Sequence, residues 1–135
     1  MSDKDVTKEV IGKQHQEMVL YLIEYLKRKG WRVTRASGVD GFPEPKMVVN
    51  YKPDVKAFHG VFGVTGYGAV ETCDKVSPEH TRNKLDEFSR RHMKSNKKPV
   101  KVFIIVPSEC YDKLEELVQQ TALGNRGNIT LLKYG

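Results

Sequence analysis

The stretch Lys52–Lys75 reads KPDVKAFHGVFGVTGYGAVETCDK and holds two short strand candidates and two acids around which the rest of the chain is organised. Asp54 opens the first candidate, and Glu71 lies in the second, Tyr67–Cys73. Because strand side chains alternate between two faces, we expect Glu71 and Cys73 to share one face. Acids on neighbouring strands could share one metal ion, so this pair is a candidate site.

Four glycines, at positions 60, 63, 66 and 68, interrupt the sequence between the two acids. The chain has no GxxxxGK[ST] phosphate-binding motif, and the spacing favours a hairpin with glycine turns or bulges. The partly apolar hairpin is also a candidate contact for a partner or for DNA.

The flanking sequence predicts helices on both sides of this region. Apolar residues recur at helical spacing over Val10–Lys29, and Gly30 ends the pattern. The near-continuous apolar run VKVFIIV predicts a central strand covered on both faces. The other predicted elements are strands Trp31–Arg35, Met47–Tyr51, Asp54–Phe58 and Ile129–Tyr134 and helices Pro78–Ser95 and Glu109–Ala122.

This order is helix, strand meander, helix, strand, helix, strand, and it predicts an α/β fold with a mixed sheet. A length of 135 residues suits a single domain, 1–135, in which residues 1–9 form a polar, frayed lead-in. The sequence contains no run of the eighteen or so apolar residues that a membrane span needs and no secretory signal, so we expect a cytoplasmic protein without a membrane partner.

The two cysteines, Cys73 and Cys110, have no zinc-type spacing, and we expect reduced thiols rather than a disulfide. The formal net charge is +6, which favours polyanionic partners, because lysine and arginine contacts to phosphate release counterions.

Pro53-Asp54 followed by Glu71-Thr72-Cys73, within this order of elements, resembles the PD-(D/E)xK nuclease superfamily. Within that superfamily the chain is similar to archaeal Holliday-junction resolvases and other small restriction-endonuclease-like proteins. The resemblance covers roughly residues 10–107. It implies a restriction-endonuclease-like αβββαβ core, here followed by a C-terminal helix and strand.

The resemblance further implies a metal-dependent endonuclease that acts on DNA phosphodiester bonds, including those of branched DNA. Asp54 and Glu71 would bind Mg²⁺ or Mn²⁺, with the Thr72 carbonyl oxygen as a further ligand and Glu17 as an acid supplied by the first helix. A junction resolvase would need a homodimer to cut opposing strands.

The chain departs from the family pattern at Cys73, which stands where the family has a lysine. A thiol brings no positive charge to that position. Lys56 and Lys75 are the substitutes we expect for the catalytic cation, while Lys84 or Arg82 could reach in from the second helix. If no lysine takes this role, the chain is a catalytically inactive nucleic-acid-binding module, and a structural or protein-interaction domain is a third alternative.

A run of basic residues follows the acids and is either a solvated helix face or a surface that contacts the phosphate backbone of DNA in preference to RNA. The histidines at 15, 59, 80 and 92 are predicted to be surface or satisfied residues rather than ligands, with His59 and His80 nearest the site. The predicted nucleic-acid contacts are Arg82, Lys84, Arg90, Arg91 and Lys94.

Overall fold

The computed structural model describes the backbone of residues 3–135 and the side chains of residues 10–135. Within these residues the chain forms three α-helices and a five-stranded mixed sheet. The elements are α1 (Asp3–Arg28), β1 (Arg32–Ala36), β2 (Val55–His59), β3 (Val64–Val70), α2 (His80–Ser89), β4 (Lys101–Pro107), α3 (Tyr111–Gln119) and β5 (Ile129–Tyr134), with short 3₁₀ turns at Cys73–Lys75, Ser108–Cys110 and Ala122–Asn125.

The strands lie in the order β1-β2-β3-β4-β5. β1, β2 and β3 form an antiparallel meander, whereas α2 and α3 are crossovers that set β4 parallel to β3 and β5 parallel to β4. The predicted α/β class with a mixed sheet is therefore confirmed. This topology brings the carboxyl ends of β3, β4 and β5 and the amino end of β2 to one edge of the sheet.

α1 covers one face of the sheet, and α2 and α3 cover the other. Met18, Leu22 and Leu26, spaced one helical turn apart, are the fully buried stripe of α1. On the opposite face, Leu85 of α2 and Leu114 of α3 are fully buried. None of the helices among the described residues is long and apolar enough to cross a membrane.

The apolar strand β4 is buried on both faces, as predicted. Phe103 and Ile105 pack with α1, while Val102 and Ile104 pack with the other two helices. The predicted central position is wrong, because β3 occupies the middle of the sheet and β4 lies beside it. An apolar run indicates that both faces of a strand are buried, but it does not indicate how many other strands lie on either side of that strand in the sheet.

Several predicted boundaries differ from the structure. α1 begins at Asp3, inside the predicted lead-in 1–9, whose side chains, together with the backbone of residues 1 and 2, lie outside the described residues. The predicted strand Met47–Tyr51 is wrong, since it is a tight turn in which the Val48 amide donates to the Tyr51 carbonyl at 2.7 Å. The predicted helix Pro78–Ser95 is shorter in the structure, because α2 ends at Ser89.

The glycines around the β2–β3 hairpin have two different roles. Gly63 adopts a φ of 68° in the turn, as a glycine turn requires. Gly66 and Gly68 lie inside β3, where an added Cβ would come within 2.8 Å of the Trp31 ring and 2.7 Å of the Leu22 side chain. These two glycines allow α1 and Trp31 to pack directly on the sheet.

We expect Gly68→Ala to destabilise the fold by about 1–3 kcal/mol, because the new methyl group overlaps Leu22 in a filled core. Gly12→Ala is the matched control. Gly12 lies in α1 with nothing within 4 Å of an added Cβ, and alanine there should add up to about 1 kcal/mol. Urea unfolding of both variants measures the difference, and equal stabilities would contradict the close packing of β3 on α1.

Cys73 and Cys110 form a disulfide, with Cα atoms 5.7 Å apart, so the expectation of reduced thiols is wrong for this structure. The physical reason lies in the topology. β3 and β4 are parallel neighbours, and the 3₁₀ turns that follow them therefore lie side by side at the same edge. Sequence spacing alone does not reveal that proximity.

Removing the disulfide should lower the free energy of unfolding by roughly 3 kcal/mol, because it joins residues 37 positions apart and restricts the unfolded chain. The measurement compares urea unfolding of the wild type with that of Cys73→Ser/Cys110→Ser, each with and without dithiothreitol. Dithiothreitol should destabilise only the wild type. Two free thiols in the purified, air-oxidised wild type would contradict the disulfide.

Candidate functional site

A cleft of about 380 Å³ opens at the sheet edge where β2 begins and β3 ends, between α1 and α2. Asp54 and Glu71, the two acids picked out by the sequence, both line it. Among the side chains of residues 10–135, the lining consists of Ile11, Gly12, His15, Lys52, Asp54, Val70, Glu71, Thr72, Lys75, His80 and Lys84.

Asp54 is fixed by backbone hydrogen bonds on three sides. Its amide donates to the Gly68 carbonyl, its carbonyl accepts from the Ser37 amide, and its Oδ2 accepts from the Val70 amide, each at 2.8 Å. Its other carboxylate oxygen, Oδ1, lies 3.2 Å from Nε2 of His15 on α1. The start of β2 thus holds this carboxylate in one orientation at the cleft.

Glu71 immediately follows β3, and its side chain is buried, with 3% exposed. Its amide donates to the Ile105 carbonyl, which extends the pairing with β4 by one residue. Lys84 Nζ donates to Glu71 Oε1 at 2.7 Å, and His80 Nε2 lies 3.4 Å from the same oxygen. A buried carboxylate requires such partners, since an unpaired charge away from water is strongly unfavourable.

Lys84 and His80 reach Glu71 from one face of α2, because residues four apart lie above one another on a helix. The Lys84 side chain is only 11% exposed. No hydrogen bond among the described residues uses Glu71 Oε2.

The two lysines predicted as catalytic cations are placed differently. Lys75 lines the cleft. Lys56 lies within β2, paired with Arg35 and Tyr67, and is not part of the lining. Cys73 follows the end of β3 and is bonded to Cys110, so its side chain does not share a strand face with Glu71.

Asp54 and Glu71 are the two carboxylates of the described cleft lining. The Glu17 carboxylate lies 3.5 Å from the Tyr134 hydroxyl and is not part of that lining. Thr72 lines the cleft, and its carbonyl accepts the Lys75 amide at 2.9 Å, which leaves its second lone pair. Among side chains of residues 10–135, no group of three or more His, Cys, Asp or Glu is arranged to hold a metal ion. Mg²⁺ commonly uses only one or two carboxylates, with water and substrate phosphate as its other ligands.

His15 is the residue that sequence reasoning missed. The hydrogen bond to the Asp54 carboxylate raises the pKa of His15 above its usual 6.5, although burial opposes the shift. The only sequence pattern that could have placed His15 in the cleft is its four-residue spacing from Ile11, because this spacing puts both residues on one face of α1. A protonated His15 adds positive charge beside Asp54.

The predicted basic run does not form one surface. Lys84 lies in the cleft, and Arg82 is exposed beside the groove between α2 and α3. Arg90 pairs with Asp86 at 2.9 Å, while Arg91 and Lys94 are exposed in the segment after α2, at the opposite end of the sheet.

No protein-family model, curated protein or solved structure matches the chain. The chemistry of the cleft therefore carries the functional argument. Lys52, Lys75 and Lys84, together with His15 and His80, surround two carboxylates. With its histidines neutral, the described lining has three lysines against two carboxylates, so its formal charge is positive.

The His15 titration should have a midpoint above pH 6.5, and Asp54→Asn should lower it. Because the folded-state pKa is raised, the stabilisation from this contact is fully present below pH 6.5 and is lost as pH rises through the raised value. NMR titration of the ring protons measures the midpoint. Glu17→Gln, which removes an α1 carboxylate outside the cleft, is the control, and an equal response to both substitutions would contradict the assignment.

Proposed function

We propose that this protein is a metal-dependent phosphodiesterase that cleaves DNA. The proposal rests on one observation: Asp54, Glu71 and Lys84 line the same cleft, and the lysine ammonium lies 2.7 Å from the Glu71 carboxylate. Two acids and a lysine are the residue types of the PD-(D/E)xK pattern, here with the lysine supplied by α2 instead of by β3.

The order of elements supports the same proposal. The order α1, the β1–β3 meander, α2 and β4 follows the αβββαβ order that the resemblance implies, with α3 and β5 added at the C-terminal end. The acids lie at the start of the second strand and just after the third, at one sheet edge. We therefore propose a restriction-endonuclease-like fold, with the cleft as its site.

Asp54 and Glu71 would hold Mg²⁺ or Mn²⁺, which when bound activates water and neutralises charge on the scissile phosphate. Lys84 would stabilise the negative charge that develops on the phosphate, since its ammonium is fixed by Glu71 and shielded from bulk water. Glu71 thus orients the lysine and keeps Oε2 for the metal. Glu17 and Lys56 have no place in this arrangement.

Three other cations would bind substrate phosphates. Lys75 and Lys52 both line the cleft, and the Lys52 ammonium lies 3.5 Å from the Glu44 carboxylate. His15 orients Asp54 through the 3.2 Å contact and adds charge when protonated. These side chains favour a polyanion over a small neutral substrate.

The homodimer belongs to the same proposal, whereas the expected cytoplasmic setting does not. Cleavage of opposing strands in branched DNA would need two cleft-bearing subunits. The disulfide weighs against a reducing cytosol, because such bonds are rare there in mesophiles.

Wild-type protein should cut a labelled duplex or four-way junction with Mg²⁺ or Mn²⁺, and Asp54→Ala and Glu71→Ala should abolish the cut. Lys84→Met should slow cleavage on the order of 10²–10³-fold, since it removes the charge beside the phosphate. Lys84→Arg keeps the ion pair with Glu71, so it shows whether slower cleavage by Lys84→Met reflects a lost catalytic charge or a destabilised fold. Lys46→Met, at an exposed lysine outside the cleft, is the matched control.

Salt-sensitive DNA binding without cleavage by the wild type would contradict the enzyme and support the inactive binding module. Neither binding nor cleavage would support a structural or protein-interaction domain. Full activity of Lys84→Met would remove Lys84 from the mechanism.

A further inference from the structure

A second basic surface lies at the end of the sheet opposite the cleft. It consists of the β2–β3 hairpin tip and the segment between α2 and β4, and we name it the hairpin surface. β3 separates the two ends by roughly 20 Å at ~3.3 Å per strand residue. Its members are Val61, Phe62, Arg91, Lys94, Lys97, Lys98 and Lys101.

Side chains of the segment after α2 form hydrogen bonds with the backbone of the hairpin. Asn96 Nδ2 donates to the Gly63 carbonyl at 2.8 Å, and Lys98 Nζ donates to the Phe62 carbonyl at 3.2 Å. The Thr65 amide also lies 3.3 Å from Met93 Sδ. The hairpin and the segment therefore form one continuous surface with defined side-chain positions.

Positive charge is concentrated in this segment. Residues 90–101 contain six lysines and arginines and no Asp or Glu, and residues 59–66 of the hairpin also contain no acid. Of the six, Arg90 pairs with Asp86, while Arg91, Lys94 and Lys97 are exposed and form no ion pair with an acid among the described side chains. The chain as a whole carries a formal +6, so this short segment holds much of its excess charge.

An apolar tip lies within these cations. Val61 is 87% exposed and Phe62 is 48% exposed. The Phe62 ring stacks on the His59 ring with centroids 4.1 Å apart, and Lys101 Nζ lies 5.7 Å from its centroid. The tip is therefore held in place by its neighbours while its outer surface stays in water.

We propose that the hairpin surface binds the phosphate backbone of duplex DNA, with Val61 and Phe62 against the sugars at the groove edge. Exposed lysines and arginines supply the phosphate contacts, and an apolar tip flanked by them suits the alternation of phosphate and sugar along a strand. This inference rests on the proposed function, because the partner it names is the DNA on which the cleft would act.

The partner we infer is duplex DNA because the surface lacks a stacking platform for single strands. Such platforms present successive aromatic rings to successive bases. The hairpin surface offers Phe62 alone, and one face of that ring is already stacked on His59. Lysines and arginines without a stacking series hold a duplex by its backbone.

The experiment measures binding of a fluorescent duplex of about 30 base pairs by anisotropy across about 50 to 200 mM salt, without divalent cations to prevent cleavage. The test variant is Arg91→Gln/Lys94→Gln/Lys97→Gln. Each lost phosphate contact should reduce the slope of log affinity against log salt by about 0.9, so the slope should fall by about 2 to 3. The control, Lys46→Gln/Lys113→Gln/Lys133→Gln, removes the same formal charge from exposed sites elsewhere and should change the slope by less than about 1.

Val61→Asp tests the tip separately. Val61 is almost fully exposed, so the substitution should leave urea unfolding unchanged, while a carboxylate facing phosphate should weaken binding by on the order of tenfold. Val61→Ser, an uncharged polar variant at the same site, is the matched control and should weaken binding less.

The outcomes distinguish this inference from the proposed function. Wild-type binding that depends on the three basic residues, without any cleavage when Mg²⁺ is added, supports the hairpin surface and contradicts the nuclease. An equal salt slope for test and control variants overturns the hairpin surface whether or not the protein cleaves DNA. Tighter binding to a single-stranded oligonucleotide, or to phosphatidylserine vesicles, than to the duplex also overturns it.

Discussion

The ion pair between Glu71 and Lys84 is the interaction on which the cleft depends. A carboxylate that is 3% exposed is stable only with a partner, and the ammonium 2.7 Å away is itself largely shielded from water. The pair joins the end of β3 to the first turns of α2 across the cleft.

Because β3 and β4 are parallel neighbours, the residues that follow both strands lie together at one edge of the sheet, which is where the Glu71–Lys84 ion pair forms. The disulfide between Cys73 and Cys110 joins these residues on the side facing α3. Glu71 itself bonds to the Ile105 carbonyl of β4. The segment Glu71–Lys75 is thus held by a backbone hydrogen bond, an ion pair and a covalent bond. Lys75, at the end of this segment, lines the cleft.

The sequence predicted the features that depend on periodicity and order. The alternation of helices and strands, the burial of VKVFIIV on both faces and the position of the hairpin follow from local patterns. That Asp54 and Glu71 share one cleft followed from their positions on neighbouring strands. Gly66 and Gly68, predicted as turn or bulge residues, instead lie in the regular strand β3, where Trp31 and Leu22 occupy the space that a side chain would need.

The features that sequence reasoning missed depend on distances between elements. The place of His15, for example, depends on how α1 docks against β2. Lys84 was predicted only as one of several lysines able to reach the site, and its position in the cleft depends on where α2 crosses the sheet edge. Cys73 was predicted to face the same side as Glu71, but β3 ends at Val70, and strand alternation does not extend beyond that residue. No local pattern marks these contacts, because each joins elements that are far apart in sequence.

The central claim is that Asp54 and Glu71 bind a divalent metal ion beside Lys84. A titration of the full chain with Mn²⁺, followed by electron paramagnetic resonance, tests it most directly. The account predicts a single class of bound Mn²⁺ that disappears in Asp54→Asn and in Glu71→Gln and persists in Glu17→Gln. Mn²⁺ binding that survives both cleft substitutions, or no binding by the wild type, would contradict it.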